Sequence, residues 1–327
     1  MRRIIGLVEP FILALLGTIL LASLLPAQGI WARVADNAAD AGIVLLFFLY
    51  GAKLSRAAIW EGAKNWRLHI ATLAITFMLF PALGLGFRAL PFIPPEFAMG
   101  LLFLTLLPST VQSSIAFTAI ARGNVAAAVC AASFSNLIGI FLTPLLVALL
   151  MGGATGGVSW ASVQTILLQL LLPFVVGHLL RPLIGAFVAR HKTLLTRVDR
   201  GSILLVVYAA FSAAVVEGLW HKIAPPSLIV LAALCLVLLA LVLGATTLLG
   251  RIMKLSREDA VVLLFCGSKK SLASGVPMAG VLFAPEQIGI VLLPVMLFHQ
   301  FQLIACAMIA PRLAARAEAT QATEASG

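Results

Sequence analysis

Ten apolar runs of about 20 residues recur along the chain, separated by short segments rich in Gly, Pro and charge. Each run is long enough to cross about 30 Å of hydrocarbon as a helix. Hydrophobic residues make up 62% of the 327 positions and charged residues 10%, far from the roughly half apolar and quarter charged mixture of soluble domains. The sequence therefore predicts an all-α membrane protein with ten transmembrane helices.

The predicted spans form two sets of five, bounded by Gly, Pro and charged residues. The first set lies near 5–25, 38–54, 68–88, 97–121 and 124–150, and the second near 162–185, 201–220, 227–250, 259–283 and 287–310. The glycine-rich stretch from Met151 to Gly157 separates them, which predicts two five-helix repeats, residues 1–155 and 156–327. An odd number of spans in each half makes the second repeat inverted relative to the first.

The basic residues predict the orientation of these spans. They occur in short clusters between apolar runs, without an aromatic-studded basic stripe, so the net charge of +10 does not indicate a nucleic-acid partner. With a cytoplasmic N-terminus, most of the 22 basic residues fall inside, and the outside segments hold only Arg33, Arg88 and Lys222. The positive-inside rule thus predicts a multi-pass protein of the cell (inner) membrane with both termini cytoplasmic.

The first span has an alternative interpretation. The basic start and apolar run from Ile4 to Leu25, followed by Pro26-Ala27-Gln28, are also compatible with a cleaved signal peptide. A retained helix is favoured, because the apolar stretch is longer than a usual signal core and its removal would spoil the count of ten helices.

The fourth span of each half is interrupted by small and polar residues. In the first half these run from Leu107 to Ser114, before Arg122-Gly123-Asn124, and in the second from Cys266 to Ser271 and from Ser274 to Pro277. Backbone groups freed by a helix break must be buried in protein or line a cavity. Paired interruptions in two halves indicate the midplane substrate site of a secondary transporter. Two simple Pro or Gly kinks are the alternative.

Lys269 and Lys270 lie deep in the ninth span. Lys269 follows the Glu258-Asp259 pair by a length of helix that places it about 16 Å into the membrane. A lysine there costs at least ~2.5 to 3.5 kcal/mol, so a compensating partner is expected. Acids are scarce within the spans, where Glu9 and Glu217 lie near span ends, so carbonyls of the broken helices are expected to contribute. A lysine that only pins the crossing by donating to carbonyls is the structural alternative.

These features define the candidate substrate- or ion-binding residues. They are Lys269, Lys270, Ser271, Gln112, Ser113, Ser114, Asn136, His299 and Gln300. Buried cations and helix N-termini favour negative charge, so the predicted function is secondary transport of a small organic anion by alternating access. A non-transporting membrane regulator of ion homeostasis is an alternative. An enzyme is not expected, because the sequence lacks HExxH, a nucleophile elbow and an acid-base pair within the spans.

Cofactor chemistry is not indicated by the cysteines either. Cys130, Cys235, Cys266 and Cys306 all lie in predicted spans without paired ligand spacing, so neither disulfides nor a zinc site is expected. The expected partners are the lipid bilayer and a small, anionic substrate. The oligomeric state stays open.

Several of these motifs carry a family resemblance. Leu107-Pro108, Arg122-Gly123-Asn124, Leu142-Thr143-Pro144 and Lys269 to Gly275 resemble the bile acid:sodium symporter superfamily, in its SBF-like orphan branch. The resemblance implies a core domain of spans 3, 4, 5, 8, 9 and 10 and a panel domain of spans 1, 2, 6 and 7. It also implies that spans 4 and 9 unwind and cross, and that the core moves against the panel like an elevator.

The sequence departs from the sodium-coupled members of that superfamily. They use a Ser-Asn pair on span 4, hydroxyls on span 5 and an acidic residue on span 9, whereas this chain has Ser113-Ser114, Ala128 with Ala132, and Lys269-Lys270. Sodium is thus a possible cofactor only with a degraded ligand set, since the carboxylate and hydroxyl oxygens are missing. The hypothesis is that a lysine ammonium occupies the sodium position and makes transport sodium-independent or proton-linked. A sodium-coupled bile-acid-type symporter is the alternative.

Overall fold

A computed structural model describes residues 10–53, 65–151, 167–218 and 225–326. Every regular element within these ranges is a helix. Seven of the described helices are long and apolar enough to cross a membrane, and Leu13–Leu24 and Phe97–Leu106 are shorter apolar helices. The predicted all-helical, multi-pass fold class is therefore confirmed.

The described residues form helices α1 to α12. The bounds are α1 Pro10–Leu24, α2 Ile30–Lys53, α3 Trp66–Arg88 with a π-helical segment at Ile75–Leu79, α4 Pro95–Leu106, α5 Gln112–Ile120, α6 Val125–Met151, α7 Leu172–Arg190 preceded by a π-helical turn at Leu167–Leu171, α8 Lys192–Val216, α9 Pro225–Ile252, α10 Arg257–Gly267, α11 Leu272–Leu282 and α12 Pro285–Ser326. The predicted start of the first span and the linker residues 152–157 lie outside the described ranges.

Several helices are longer than the predicted spans. Helix α2 begins at Ile30 rather than near 38, α8 begins at Lys192 rather than near 201, and α12 continues to Ser326. An apolar run measures the length of chain in hydrocarbon, whereas a helix continues into water wherever its backbone hydrogen bonds continue. Charged residues such as Arg33 and Asp36 are therefore helical rather than part of a connecting loop.

Helices α1, α2, α7 and α8 pack together. α2 lies along α7 and α8, and α1 packs on α8. Two glycines bring the α2 and α7 backbones into contact: a Cβ added at Gly51 would lie 2.0 Å from the carbonyl oxygen of Phe174, and one at Gly177 2.0 Å from that of Phe48. Small residues at helix interfaces allow this close approach in membranes.

The other helices surround the interruptions. α4 packs against α3 and α12, α9 against α10 and α12, and the short helices α5 and α10 against each other. Buried aromatic pairs fill this region, with Phe80 edge-on to Phe298 at 6.0 Å and Phe103 edge-on to Phe283 at 5.1 Å between ring centroids. α8 contacts α11 and α12 and so joins the two sets of helices.

Candidate functional site: the crossing and its cavity

The gap between α4 and α5 lies against the gap between α10 and α11. The main-chain N–H of Ser271 donates to the carbonyl of Pro108 over 2.8 Å, and the Ser109 hydroxyl donates to the carbonyl of Cys266 over 2.6 Å. Both gaps fall within the stretches that the sequence marks as interrupted. The hydrogen bonds join them into one buried crossing.

Helix α4 ends because of Pro108. Proline has no N–H to continue the hydrogen-bond ladder and disfavours the helical conformation in the residue before it. Leu107 is accordingly extended, with φ −73° and ψ 153°, and its own N–H makes only a tight turn to Leu104 at 3.4 Å.

Side chains of α6 satisfy the backbone groups that this break frees. Thr143 donates its hydroxyl to the carbonyl of Leu106 over 2.8 Å, and Ser135 accepts the N–H of Ser109 over 2.9 Å. The amide of Asn136 donates to the carbonyl of Ser109 over 2.8 Å. The unwound segment is therefore held by specific polar partners, as buried backbone requires.

The second break is capped by its own serine and by a glutamine of α12. Ser271 is the N-cap of α11 and accepts the N–H of Ser274 over 3.1 Å. The amide of Gln302 accepts the N–H of Lys270 and donates to its carbonyl, both over 2.9 Å. Its nitrogen also lies 2.8 Å from Nδ1 of His299, so His299 is tied to the break through Gln302.

Lys270 points away from the cavity into a ring of carbonyl oxygens. Its Nζ donates to Thr76 over 2.7 Å, to Thr105 over 2.7 Å and to Leu107 over 2.6 Å. The ammonium also lies 4.1 Å from the centroid of the Phe80 ring, and the residue is 1% exposed. Thr105 and Leu107 belong to the C-terminal end of α4, where a positive charge is favoured.

The third carbonyl is made available by a π-helical turn in α3. There the N–H of Phe80 bonds the carbonyl of Ile75, five residues back. In the same pattern the carbonyl of Thr76 would accept a hydrogen bond from residue 81. That residue is Pro81, which has no N–H, so the carbonyl is left without a backbone donor. Lys270 supplies the missing donor.

Lys269 has surroundings different from those of Lys270. Its Nζ lies 4.2 Å from the Phe117 ring centroid and 5.5 Å from that of Phe265, and the residue is 0% exposed. Within the described part of the chain this Nζ has no hydrogen-bond partner. Cation–π contact with these two aromatic rings offsets part of the cost of burying its charge.

A cavity of about 650 Å³ lies between the crossing and helices α2, α7 and α8. Gln112, Ser113, Asn136, Ser271 and His299 line it, together with Ser133 and Ser274. Gln112 and Ser113 begin α5, and Ser271 precedes α11, so the N-termini of both short helices lie at the cavity wall.

Four of the candidate residues stand outside the cavity lining: Lys269, Lys270, Ser114 and Gln300. Ser114 is buried and donates to the carbonyl of Phe265 over 3.0 Å. Oε1 of Gln300 is buried and lacks a hydrogen-bond partner within the described ranges. The polar wall of the cavity is thus made of hydroxyl, amide and imidazole groups, with both lysines behind it.

The opposite wall of the cavity was not predicted from the sequence. Tyr50, Lys53, Asp199 and Arg200 line the cavity, although Lys53 and Arg200 read as topology signals in cytoplasmic segments. Lys53 forms an ion pair with Asp199, and the Tyr50 hydroxyl donates to the carbonyl of Ala273 over 3.2 Å. The available signal was a lone acid, Asp199, directly beside a basic residue at the start of an apolar run.

Two broken helices that meet beside a cavity inside a multi-pass membrane protein are typical of membrane transporters. The fold and the site therefore place the chain in that class of protein. Sequence comparison agrees: the chain belongs to the SBF-like CPA transporter family, which it matches over residues 9–315. The resemblance to the bile acid:sodium symporter superfamily is thereby confirmed. The family is one of transporters rather than enzymes.

Relatives of the chain cover most of its length. It is 55% identical over 312 residues to an uncharacterized protein of Pseudomonas aeruginosa, covering 94% of this chain and 93% of the relative. It is 48% identical to YfeH of Escherichia coli strain K12, a protein provisionally named a symporter, over 99% of this chain and 98% of the relative. Mouse sodium/bile acid cotransporter 7 is 24% identical over 83% of this chain and 81% of the relative.

Proposed function

We propose that this protein is a secondary active transporter of a small organic anion that works by alternating access. Ten crossings in two inverted five-helix repeats, residues 1–155 and 156–327, form the proposed architecture. The seven long helices, the shorter α1 and the two broken pairs, α4 with α5 and α10 with α11, supply these crossings. Membership of a transporter family supports the general activity.

The position of the helix ends is the observation that carries the proposal. The N-termini of α5 and α11 lie at the cavity wall, where their backbone N–H groups favour an anion. The C-terminal end of α4, which would attract a cation, is occupied instead by the ammonium of Lys270. The crossing therefore offers positive potential to the cavity and keeps its own cation on the far side.

Lys270 is proposed to replace the coupling sodium ion. Unwound carbonyls and half-helix C-terminal ends coordinate Na⁺ or H⁺ in transporters with broken helices, and here three such oxygens already bind Nζ. Ala128 and Ala132, both buried, bring no side-chain oxygen. Transport is therefore proposed to be sodium-independent or proton-linked.

The proposed movement is that of a core against a panel. The panel comprises α1, α2, α7 and α8, and the core the remaining described helices, in keeping with how they pack. The cavity lies between the two groups and reaches Lys53, the last residue of α2. By the positive-inside rule this end of α2, like both termini, is placed on the cytoplasmic side.

Uptake by the purified protein in liposomes tests the proposal. A panel of organic anions is offered with a sodium gradient, a proton gradient or neither, and uptake of at least one anion without sodium is expected. If the protein carried none of the anions, the proposed anion transport would be wrong. Sodium-stimulated uptake that Lys269→Ala and Lys270→Ala abolish would favour a sodium-coupled symporter, the activity in the name of the mouse relative.

A further inference from the structure

Lys269 is closed off directly beside the cavity. The residue is 0% exposed and lies outside the cavity lining. Its Nζ is 4.2 Å from the ring centroid of Phe117, and Phe117 itself lines the cavity. One aromatic ring therefore touches both the nitrogen and the cavity, and a rotation of that side chain would open a path between them.

The neighbouring lysine is built to stay charged. An ammonium group has three N–H donors, and those of Lys270 meet the carbonyl oxygens of Thr76, Thr105 and Leu107. A neutral amine has only two N–H groups, so it would leave one of these buried oxygens without a donor. The surroundings of Lys270 therefore fit its charged form alone.

No such set of acceptors surrounds Lys269. Its Nζ has no hydrogen-bond partner among the described residues. The titratable groups that interact with it are Cys266 on α10 and Cys306 and His299 on α12, and Lys270 is the next residue of the chain. Thiols are weak hydrogen-bond acceptors. Hydrogen bonds therefore do not fix the protonation state of Lys269 as they fix that of Lys270.

A buried lysine of this kind indicates a function. Burying an ammonium without hydrogen bonds costs stability, and a well-packed apolar side chain would avoid that cost. Ionisable residues deep in membrane spans mark ion and proton pathways for this reason. Beside the cavity, an amine that is free to gain and lose a proton offers a site for the smallest coupling ion.

We propose that Lys269 is the proton-binding site of this transporter and that it carries one proton with each substrate anion. The inference rests on the proposed anion transport and deepens it. On one side of the membrane the neutral amine takes a proton from a hydronium ion in the cavity and becomes an ammonium. On the other side the ammonium returns that proton to water. One N–H bond forms and breaks in each cycle, and no electron is transferred.

Charge balance links the proton to the anion. For a substrate with one negative charge, the loaded protein holds an ammonium and an anion, and the empty protein holds a neutral amine and no anion. Both forms have the same net charge, so the core crosses in either form without carrying an extra charge through the low-dielectric interior. Either ligand alone would add one charge. Lys270 stays charged throughout and does not alter the balance.

Nuclear magnetic resonance of the purified full-length protein tests the site without any substrate. Lysine is labelled with ¹³C at Cε, whose chemical shift reports the protonation of the amine. The chain has seven lysines, and the signal of Lys269 is the one that disappears in Lys269→Met.

A coupling proton has to bind and leave near neutral pH, so the Lys269 signal is expected to move there between its amine and ammonium positions. The signal of Lys270, assigned through Lys270→Arg, should stay at the ammonium position. A Lys269 signal that stays at either position throughout this range overturns the inference.

Uptake of a singly charged anion into liposomes tests the coupling. In wild type a pH difference of one unit should accumulate the anion about tenfold, and an inside-positive membrane potential should add little. Lys269→Met should lose the response to pH and gain one to the potential, because the anion then crosses alone. Lys269→Arg, which keeps its proton, should exchange anions across the membrane but not accumulate them with pH. Lys254→Met, at an exposed lysine away from the cavity, is the control and should match wild type.

The two measurements separate this inference from the proposed function. Liposomes in which Lys269→Met keeps the wild-type response to the pH gradient contradict the role of Lys269 and leave anion transport standing. Liposomes in which wild type carries no anion, while the Lys269 signal still titrates near neutral pH, contradict anion transport and leave the proton site standing.

Discussion

The main-chain N–H of Ser271 donates to the main-chain carbonyl of Pro108 across 2.8 Å. One broken span thus satisfies a backbone group of the other, as a helix break within a membrane-spanning segment requires. The fit is close, since a Cβ added at Gly139 of α6 would lie 2.7 Å from Cβ of Pro108. Changes at either break should therefore affect the stability of both.

Ser135→Ala is expected to destabilise the crossing. Its hydroxyl is buried and accepts the N–H of Ser109 over 2.9 Å, and alanine would leave that N–H without its partner. The expected loss is about 1 to 2 kcal/mol, measured as a lower thermal unfolding midpoint of the purified protein. Ser133→Ala, at the cavity wall on the same helix, is the control and should unfold like wild type. Equal midpoints for both variants would refute the role of Ser135.

Local sequence signals predicted the two breaks. Pro108 ends a helix because it lacks an N–H, and Ser271 begins one because its side chain caps the first turn. Both effects act on neighbouring residues in the sequence and can therefore be predicted from it. The apolar runs likewise identified the spans, although not the helical extension of α2 to Ile30.

The distant residues that each side chain contacts could not be predicted from the local sequence. Lys270 reaches Thr76 because a π-helical turn in a distant helix exposes that carbonyl, and nothing beside Lys270 in the sequence encodes the turn. Arg197 and Arg200 lie on the same helix, yet only Arg200 lines the cavity. Their difference arises from how α8 packs against α1 and α2.

The two adjacent lysines should respond in opposite ways to replacement by methionine. Lys270→Met leaves three buried carbonyls without a donor and should cost roughly 2 to 5 kcal/mol. Lys269→Met removes a buried ammonium that lacks a hydrogen bond among the described residues, and should leave stability unchanged or higher. Thermal unfolding of both purified variants measures the difference. A similar loss in each would show that Lys269 has a strong partner.

Gly177→Ala should loosen the packing of α7 on α2. The added Cβ would lie 2.0 Å from the carbonyl oxygen of Phe48, and a helix backbone cannot move aside as a side chain can. A loss of about 1 to 3 kcal/mol is expected. Gly185→Ala on the same helix is the control, because its nearest neighbour is a side-chain carbon of Arg181 at 3.5 Å, and it should gain about 0.5 to 1 kcal/mol. Unfolding midpoints that shift in the same direction would contradict the close contact.

Tyr50→Phe should speed transport if α2 and α11 move against each other. The Tyr50 hydroxyl donates to the carbonyl of Ala273 over 3.2 Å, from the proposed panel to the proposed core, and this bond would have to break in every cycle. Its removal lowers such a barrier by about 0.5 to 1 kcal/mol, a roughly twofold to fivefold faster rate where the movement is rate-limiting.

Tyr208→Phe provides the matched comparison for that experiment. Its hydroxyl donates to the carbonyl of Leu25 over 2.8 Å, between α8 and the residue that follows α1, both on the panel side. Losing this bond removes no link to the core, so the initial uptake rate of a transported anion in liposomes should stay at the wild-type value. An unchanged rate in Tyr50→Phe, or the same acceleration in both variants, would contradict the proposed role of the Tyr50–Ala273 hydrogen bond as a barrier to movement.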